Sequence, residues 1–112
     1  MKKRDLFVKY LYRVFWSEED REYVGLCAEL PSLSWLAKSQ AAALRGIVEL
    51  TRETVEDMAK AGEPIPEPVS TRRYSGQFKV RIPAQVHRQL AIEAAEANVS
   101  LNRLVSAKLA HG

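Results

Sequence analysis

Apolar and polar residues alternate along the beginning of the chain with a period of two. This period over residues 7–16 predicts a strand with one buried face. The buried face would comprise Val8, Tyr10, Tyr12, Val14 and Trp16. The acidic residues 17–22 predict a turn, and the alternation in 23–30 predicts a second strand that completes a hairpin. A short third strand fits residues 33–36.

After Ser39, the apolar residues follow the spacing of a helix. The Ser39 hydroxyl can accept a hydrogen bond from the first turn of that helix. We predict a helix over residues 40–61, ended by Gly62. Its apolar stripe comprises Leu44, Ile47, Val48, Thr51, Val55 and Met58. A hairpin packed on a long helix makes the first part of the chain an α+β fold.

Three prolines within residues 63–68 lack amide donors, and each disfavours helix at the residue before it. This composition predicts an extended, stiff segment. We therefore place a linker at residues 63–75, between a first domain at 1–62 and a second domain at 76–112.

Strict alternation returns in residues 77–82, which predicts a strand with a polar and an apolar face. The polar face carries Gln77, Lys79 and Arg81, and the apolar face carries Phe78, Val80 and Ile82. Pro83 favours the first turn of a helix over about residues 84–97. Asn98 suits a left-handed exit from that helix, and Ser100 can cap a last one.

The second domain is too small to bury a core alone, because lone domains below about 40 residues rarely hold together. A single strand also leaves both of its edges unpaired. We expect the same strand of a second chain to pair with it, giving a homodimer. The predicted dimer core comprises Phe78, Val80, Ile82, Leu90 and Leu104. The sequence leaves open whether two dimers pair into a tetramer.

The charge is divided unequally along the 112 residues. Residues 1–69 hold ten Lys and Arg against twelve Asp and Glu, a net of −2, whereas residues 70–112 hold seven against two, a net of +5. A basic second part indicates a polyanionic partner. One cysteine and two histidines are too few for a zinc cluster, so we predict no metal and no cofactor. Apolar runs are too short for a membrane span, and we expect a cytoplasmic protein.

A two-stranded ribbon fits the major groove of DNA, where Arg and Lys reach guanine and Gln reaches adenine. We therefore predict that Gln77, Lys79 and Arg81 read bases. The start of the last helix favours an anion through its free amides and the helix dipole. The predicted phosphate contacts are Ser100, Leu101, Asn102, Arg103, Arg72 and Arg73. A solvated strand face is the alternative interpretation of the polar residues.

The order of these parts resembles known families. Residues 77–83, a short helix and then residues 99–105 look like the ribbon-helix-helix repressors. The whole chain resembles the HicB-type antitoxins of bacterial toxin–antitoxin pairs, through the hairpin, the Leu30-Pro31 turn, the long helix and the run 62–68. This resemblance implies a partial ribonuclease-H-like domain that blocks a small basic ribonuclease, a HicA-like toxin. It also implies a tail that binds double-stranded operator DNA and represses the shared operon.

We predict no enzymatic activity, because residues 7–16 contain no carboxylate with which a metal-dependent nuclease site could begin. Four acids in the predicted turn either are simply solvated or face a basic toxin. They are Glu18, Glu19, Asp20 and Glu22. The rival function is a stand-alone repressor whose first domain senses a ligand or oligomerises.

Overall fold

Three antiparallel strands and four helices form an α+β fold in the computed structural model, which describes residues 2–111. A 3-10 helix, Lys3–Lys9, precedes strands β1 (Tyr12–Ser17), β2 (Glu22–Cys27) and β3 (Ser34–Ala37). Helices α1 (Gln40–Lys60), α2 (Ala84–Glu96) and α3 (Leu101–His111) follow. The chain divides into a first unit, Met1–Tyr74, and a second unit, Ser75–Gly112. The α+β class that the sequence predicted is confirmed.

The sheet of the first unit has the order β1-β2-β3, and α1 covers one of its faces. Gly25 lies in the middle of β2, opposite Val14 on one side and Trp35 on the other. A Cβ atom built on Gly25 would lie 2.7 Å from the carbonyl oxygen of Ala43 in α1. A side chain at this position would therefore separate the helix from the sheet.

The ends of α1 follow the prediction. The Ser39 side chain accepts a hydrogen bond from the Ala42 amide at 3.1 Å, which caps the first turn. Gly62 adopts a positive φ of 72°, and the Glu63 amide donates to the Met58 carbonyl at 2.9 Å. The residues that α1 buries are Ala43, Ile47, Thr51 and Val55.

Leu44, predicted to belong to the buried stripe of α1, is exposed. The smaller Ala43 takes the buried position because the helix backbone lies against Gly25. Close approach of the helix to the sheet leaves room there for a methyl group rather than a leucine side chain.

The predicted first strand was too long, because it begins at Tyr12 and not at residue 7. The residues before Tyr10 form the 3-10 helix, which packs against α1. The Tyr12 hydroxyl donates to the carbonyl of Phe7 at 2.7 Å and ties the two elements together. Of the predicted buried face, Val8 and Trp16 are exposed, and the turn of the hairpin is shorter than expected because Ser17 and Glu22 pair.

The core of the first unit is a cluster formed by Tyr10, Cys27, Ile47 and Val55. Burial raises the pKa of the Tyr10 hydroxyl to about 12 and also raises the pKa values of Tyr12 and Cys27 above their usual range. All three groups are therefore neutral at physiological pH. Cys27 is 1% exposed and serves packing rather than nucleophilic chemistry.

The proline-containing segment is irregular and lies on the first unit up to Tyr74. Ile65 packs against the core cluster, and the Tyr10 hydroxyl donates to the Pro66 carbonyl at 2.6 Å. Most of the predicted linker at 63–75 is thus held by the first unit, through contacts between residues distant in sequence.

The second unit consists of α2 and α3, preceded by a segment without regular secondary structure. Asn98 has the predicted left-handed conformation, with φ 58°, and the Val99 amide donates to the Ala94 carbonyl at 3.0 Å. Ala94 is 3% exposed and lies where the helices pack. Lys108 of α3 pairs with Glu93 of α2 at 3.2 Å.

Among the described residues, no helix has both the length and the apolar character that a membrane crossing requires.

Two glycine variants test the packing of α1 on the sheet. We expect Gly25→Ala to lower the free energy of unfolding by about 2–3 kcal/mol, because the methyl group meets helix backbone that cannot move aside. Gly46→Ala tests the same packing from the helix side, because its methyl group would overlap two atoms of the Trp35 indole and the ring atom that is bonded to the Trp35 Cβ. The whole ring must move, and we expect its displacement to outweigh the gain of about 1 kcal/mol in helix propensity. Urea unfolding followed by circular dichroism measures both, and unchanged stability of either variant would contradict the packing described.

Candidate nucleic-acid interface

Residues 77–82, predicted to be a strand, lie at the start of the second unit and have no regular secondary structure in this single chain, because a strand requires a partner for its backbone. The Ser75 hydroxyl accepts from the Gln77 amide at 3.1 Å, and Gly76 takes a positive φ of 82°. At the other end, the amides of Val86 and His87 donate to the Pro83 carbonyl at 3.0 and 3.1 Å and open α2. Within the described part of this single chain, residues 77–82 pair with no other strand.

The segment presents two kinds of side chain in alternation. Gln77, Lys79 and Arg81, predicted to read bases, are all exposed. Between them, the apolar side chains are exposed as well: Phe78 at 75%, Val80 at 64% and Ile82 at 42%. An exposed apolar row of this kind is unusual on the surface of a monomeric protein.

The apolar row continues into an open groove between the segment and the two helices. The groove is lined by Phe78, Val80, Ile82, Val86, His87, Leu90, Leu101, Asn102, Val105, Lys108 and Leu109. The structure brings four of the five predicted dimer-core residues together in it. The fifth, Leu104, is half-buried and outside this lining.

Four apolar groove residues were missing from the predicted dimer core: Val86, Leu101, Val105 and Leu109. Helical spacing assigns the last three to the inner face of α3, and so the sequence carried a signal for them. An inward-facing side chain of α3 can either pack on α2 or stay free for a second chain, and its exposed fraction decides between the two. Leu109 is 66% exposed and therefore stays free.

Ser100 caps α3 as predicted. Its hydroxyl accepts from the Arg103 amide at 3.1 Å, and its carbonyl accepts from the Leu104 amide at 3.0 Å. The amides of Leu101 and Asn102 belong to the first turn, where helix geometry provides no intrahelical acceptor. These two predicted phosphate contacts therefore lie beside the cap, at the positive end of the helix dipole.

The second unit is basic, with five Lys and Arg against two Glu in residues 75–112, a net of +3. Its cations include the exposed Lys79, Arg81 and Arg103. Arg72 and Arg73, also predicted to contact phosphates, belong to the first unit. The Arg72 guanidinium donates to the carbonyl of Glu67 at 3.2 Å. The structure therefore does not join these two arginines to the other predicted phosphate contacts.

Three of the four acids predicted to face a basic partner have contacts within the first unit. Glu18 accepts from the Trp16 indole at 2.7 Å and from Arg21 at 3.1 Å. Asp20 accepts from the Ser17 hydroxyl at 2.9 Å, and Glu22 pairs with Lys38 at 3.0 Å. Glu19 is exposed in the same turn. Local pairing reduces the negative potential of this turn.

A second exposed apolar surface lies on the face of the sheet opposite α1, which we term the open sheet face. Because Gly25 faces the helix, its neighbours Val24 and Leu26 face the other way. Phe15 and Leu36 flank Val24 in the register of the sheet and are 40% and 42% exposed. The Arg13 guanidinium lies 5.4 Å from the centre of the Phe15 ring.

Among residues 2–111, no group of three or more His, Cys, Asp or Glu side chains is arranged to hold a metal ion. The arrangement in the second unit instead suits binding: exposed cations and an amide on one side of a segment, and apolar side chains on the other.

Comparison with known proteins gives one family. Residues 61–109 match the model of the HicB family, a stretch slightly under half of the chain that includes the segment 77–82. Searches of curated proteins and of solved structures gave no significant match. The family match supports a HicB-type protein.

Proposed function

We propose that this protein is an antitoxin of HicB type. Its first unit neutralises a HicA-like ribonuclease toxin by direct binding, and its second unit represses the protein's own operon as a DNA-binding homodimer. The observation that carries the proposal is the exposed segment 77–82, with alternate polar and apolar side chains, inside the stretch that matches the HicB family. The role requires no catalytic group.

A second copy of the chain is the partner that fits the segment 77–82 best. Pairing residues 77–82 with their own counterparts gives both strands backbone partners and closes one edge of each. The same pairing places two rows of Phe78, Val80 and Ile82 together above the helices. Burial of apolar area stabilises such a dimer by roughly 25 cal/mol per Å². The ribbon-helix-helix fold is the arrangement that this pairing produces.

The opposite side of the paired strands would read DNA. A two-stranded ribbon fits the major groove, which is about 12 Å wide. Arg81 and Lys79 suit the acceptors O6 and N7 of guanine, and Gln77 suits N6 and N7 of adenine. Two copies related by a twofold axis would read a symmetric operator.

The α3 cap would fix the position of the ribbon on the duplex. The amides of Leu101 and Asn102, beside the Ser100 cap, can donate to a phosphate, and Arg103 adds a positive charge in the same turn. Contacts of this kind do not distinguish one base sequence from another. They fix the position of the protein along the duplex and make its affinity depend on salt concentration.

We propose that the toxin binds to the open sheet face and to the adjoining acidic turn. Phe15 and Leu36 give an exposed apolar centre, which is the part of an interface that supplies most affinity. Glu19 and its neighbours in the turn attract a basic protein and raise its rate of association. Neutralisation is then steric, because the bound unit covers the active surface of the toxin.

Replacement of Val80 by Glu tests the dimer. In a monomer the change is harmless because Val80 is 64% exposed, whereas in the dimer it buries a charge at the interface. We expect V80E to sediment as a monomer at concentrations where the unchanged protein is dimeric. V8E is the matched control, since Val8 is 59% exposed on the first unit. Monomeric sedimentation of the unchanged protein would refute the dimer.

Replacement of Gln77, Lys79 and Arg81 by Ala tests the reading of DNA. Each lost base contact costs about 1–3 kcal/mol, so the triple variant should lose at least a hundredfold in affinity. Gel shift on the duplex upstream of the protein's own gene measures this loss, with an unrelated duplex for comparison. R45A/K60A removes two exposed cations from α1 and should bind as the unchanged protein does. Loss of DNA binding together with toxin protection would disprove the division of labour.

Replacement of Phe15 and Leu36 by Asp tests the toxin surface. We expect F15D/L36D to lose at least tenfold in rescue of cells that express the small basic protein encoded next to this gene, and in its capture by pull-down. L44D is the control, since Leu44 has similar exposure on α1. Circular dichroism verifies the fold of each variant. If no such protein co-purifies with the chain, the stand-alone repressor replaces the antitoxin as the better account.

A further inference from the structure

A strap, residues 63–74, crosses the first unit after α1 and ends at the boundary with the second unit. Its middle is half-buried, with Ile65 against the core cluster and Pro68 buried. Its last part is a folded turn rather than an extended chain. The amides of Thr71 and Arg72 both donate to the Pro68 carbonyl, at 3.2 and 3.1 Å.

Glu29, which follows β2, connects this strap to the rest of the first unit. Its Oε2 accepts from the Val69 amide in the strap at 2.8 Å. Its Oε1 accepts from the Leu11 amide before β1 at 3.0 Å. One carboxylate thus joins segments that are 18 and 40 residues away in sequence. Hydrogen bonds that involve a charged acceptor are about twice as strong as neutral ones.

Two further contacts run beside the Glu29 carboxylate. The Tyr10 hydroxyl donates to the Pro66 carbonyl at 2.6 Å, and the Ser70 hydroxyl donates to the Lys9 carbonyl at 3.3 Å. The Tyr74 hydroxyl donates back to Val69 at 3.0 Å and closes the turn. Glu29 is the single side chain in this set that forms hydrogen bonds with two other segments, the strap and the residues before β1.

We propose that Glu29 is a latch that holds the strap on the first unit and thereby sets the length of the free tether between the two units. With the latch closed, the tether is limited to Ser75 and Gly76, and Gly76 has open space around it. Two residues span at most about 7 Å, whereas the eight residues 69–76, which release of Val69 from Glu29 would free, span at most about 28 Å. The latch therefore decides how far the second unit can move from the first.

One consequence rests on the proposed function. A short tether keeps a toxin-bound first unit close to the operator and raises the effective concentration of one site near the other. The latch itself is a property of the first unit, and its test needs neither DNA nor toxin.

Glu29→Gln in the full chain tests the latch with little change of shape. A carboxamide keeps one acceptor oxygen but turns an NH₂ donor toward a backbone amide, so one of the two bonds is lost. We expect the Val69 amide to exchange with deuterium at least tenfold faster, and trypsin to cleave after Arg72 and Arg73 at least fivefold faster than in the unchanged protein. Exchange of the Val55 amide in α1 should stay the same and reports an intact core.

Two more variants keep the test decisive. Val69→Pro removes the amide that donates to Glu29, at the second position of the Pro68–Thr71 turn, which proline favours. V69P should speed tryptic cleavage as E29Q does. Because it breaks the same hydrogen bond from the strap side, it keeps the test valid if E29Q loosens the whole unit. Glu67→Gln removes an exposed carboxylate from the strap and should change nothing. Unchanged cleavage in both E29Q and V69P, or equal acceleration in E67Q, would overturn the latch.

Discussion

A segment whose backbone has no partner strand is the constraint on which the proposed function of this molecule depends. Within the described part of the chain, the backbone of residues 77–82 pairs with no strand, and an exposed apolar row runs along the same segment. Unpaired strand edges bind other strands, and exposed apolar rows bind other surfaces. The second copy that we propose would meet both requirements at once, and the polar side chains on the other side would then form a continuous basic ribbon. The proposed repressor activity follows from this one pairing.

The first unit solves a different problem, since it builds a core from three short strands and one long helix. The absence of a side chain at Gly25 lets α1 lie directly on the sheet, and the strap adds Ile65 to the core. Because the helix covers a single face, Phe15 and Leu36 stay exposed on the other. A unit with a single helix leaves one face of its sheet uncovered, and this face is the surface that we propose for the toxin.

Local signals in the sequence predicted much of this fold. The helix α1 was predictable because Ser39 and Gly62 mark its ends through local hydrogen bonds. Asn98 and Ser100 mark the turn between α2 and α3 in the same way. The alternation in residues 77–82 identified the candidate site, because the position of each residue in the segment alone decides whether it belongs to the polar or the apolar row.

Contacts between distant residues were the part that the sequence did not reveal. The alternation at residues 7–16 looks like one strand, yet the bond from Tyr12 to Phe7 accompanies a 3-10 helix in its first half. The prolines indicated a linker, whereas Glu29 and Tyr10 hold that segment on the first unit. A periodic pattern records which face is apolar and contains no information about such pairs.

Amide hydrogen exchange across residues 77–82, followed as the protein is diluted, tests the central claim most directly. A symmetric antiparallel pair of strands protects every second amide. The account predicts this alternate protection at high concentration and its loss on dilution, while the amides of α1 stay protected. Exchange of all six residues at the rate of an unstructured chain, at every concentration, would contradict it.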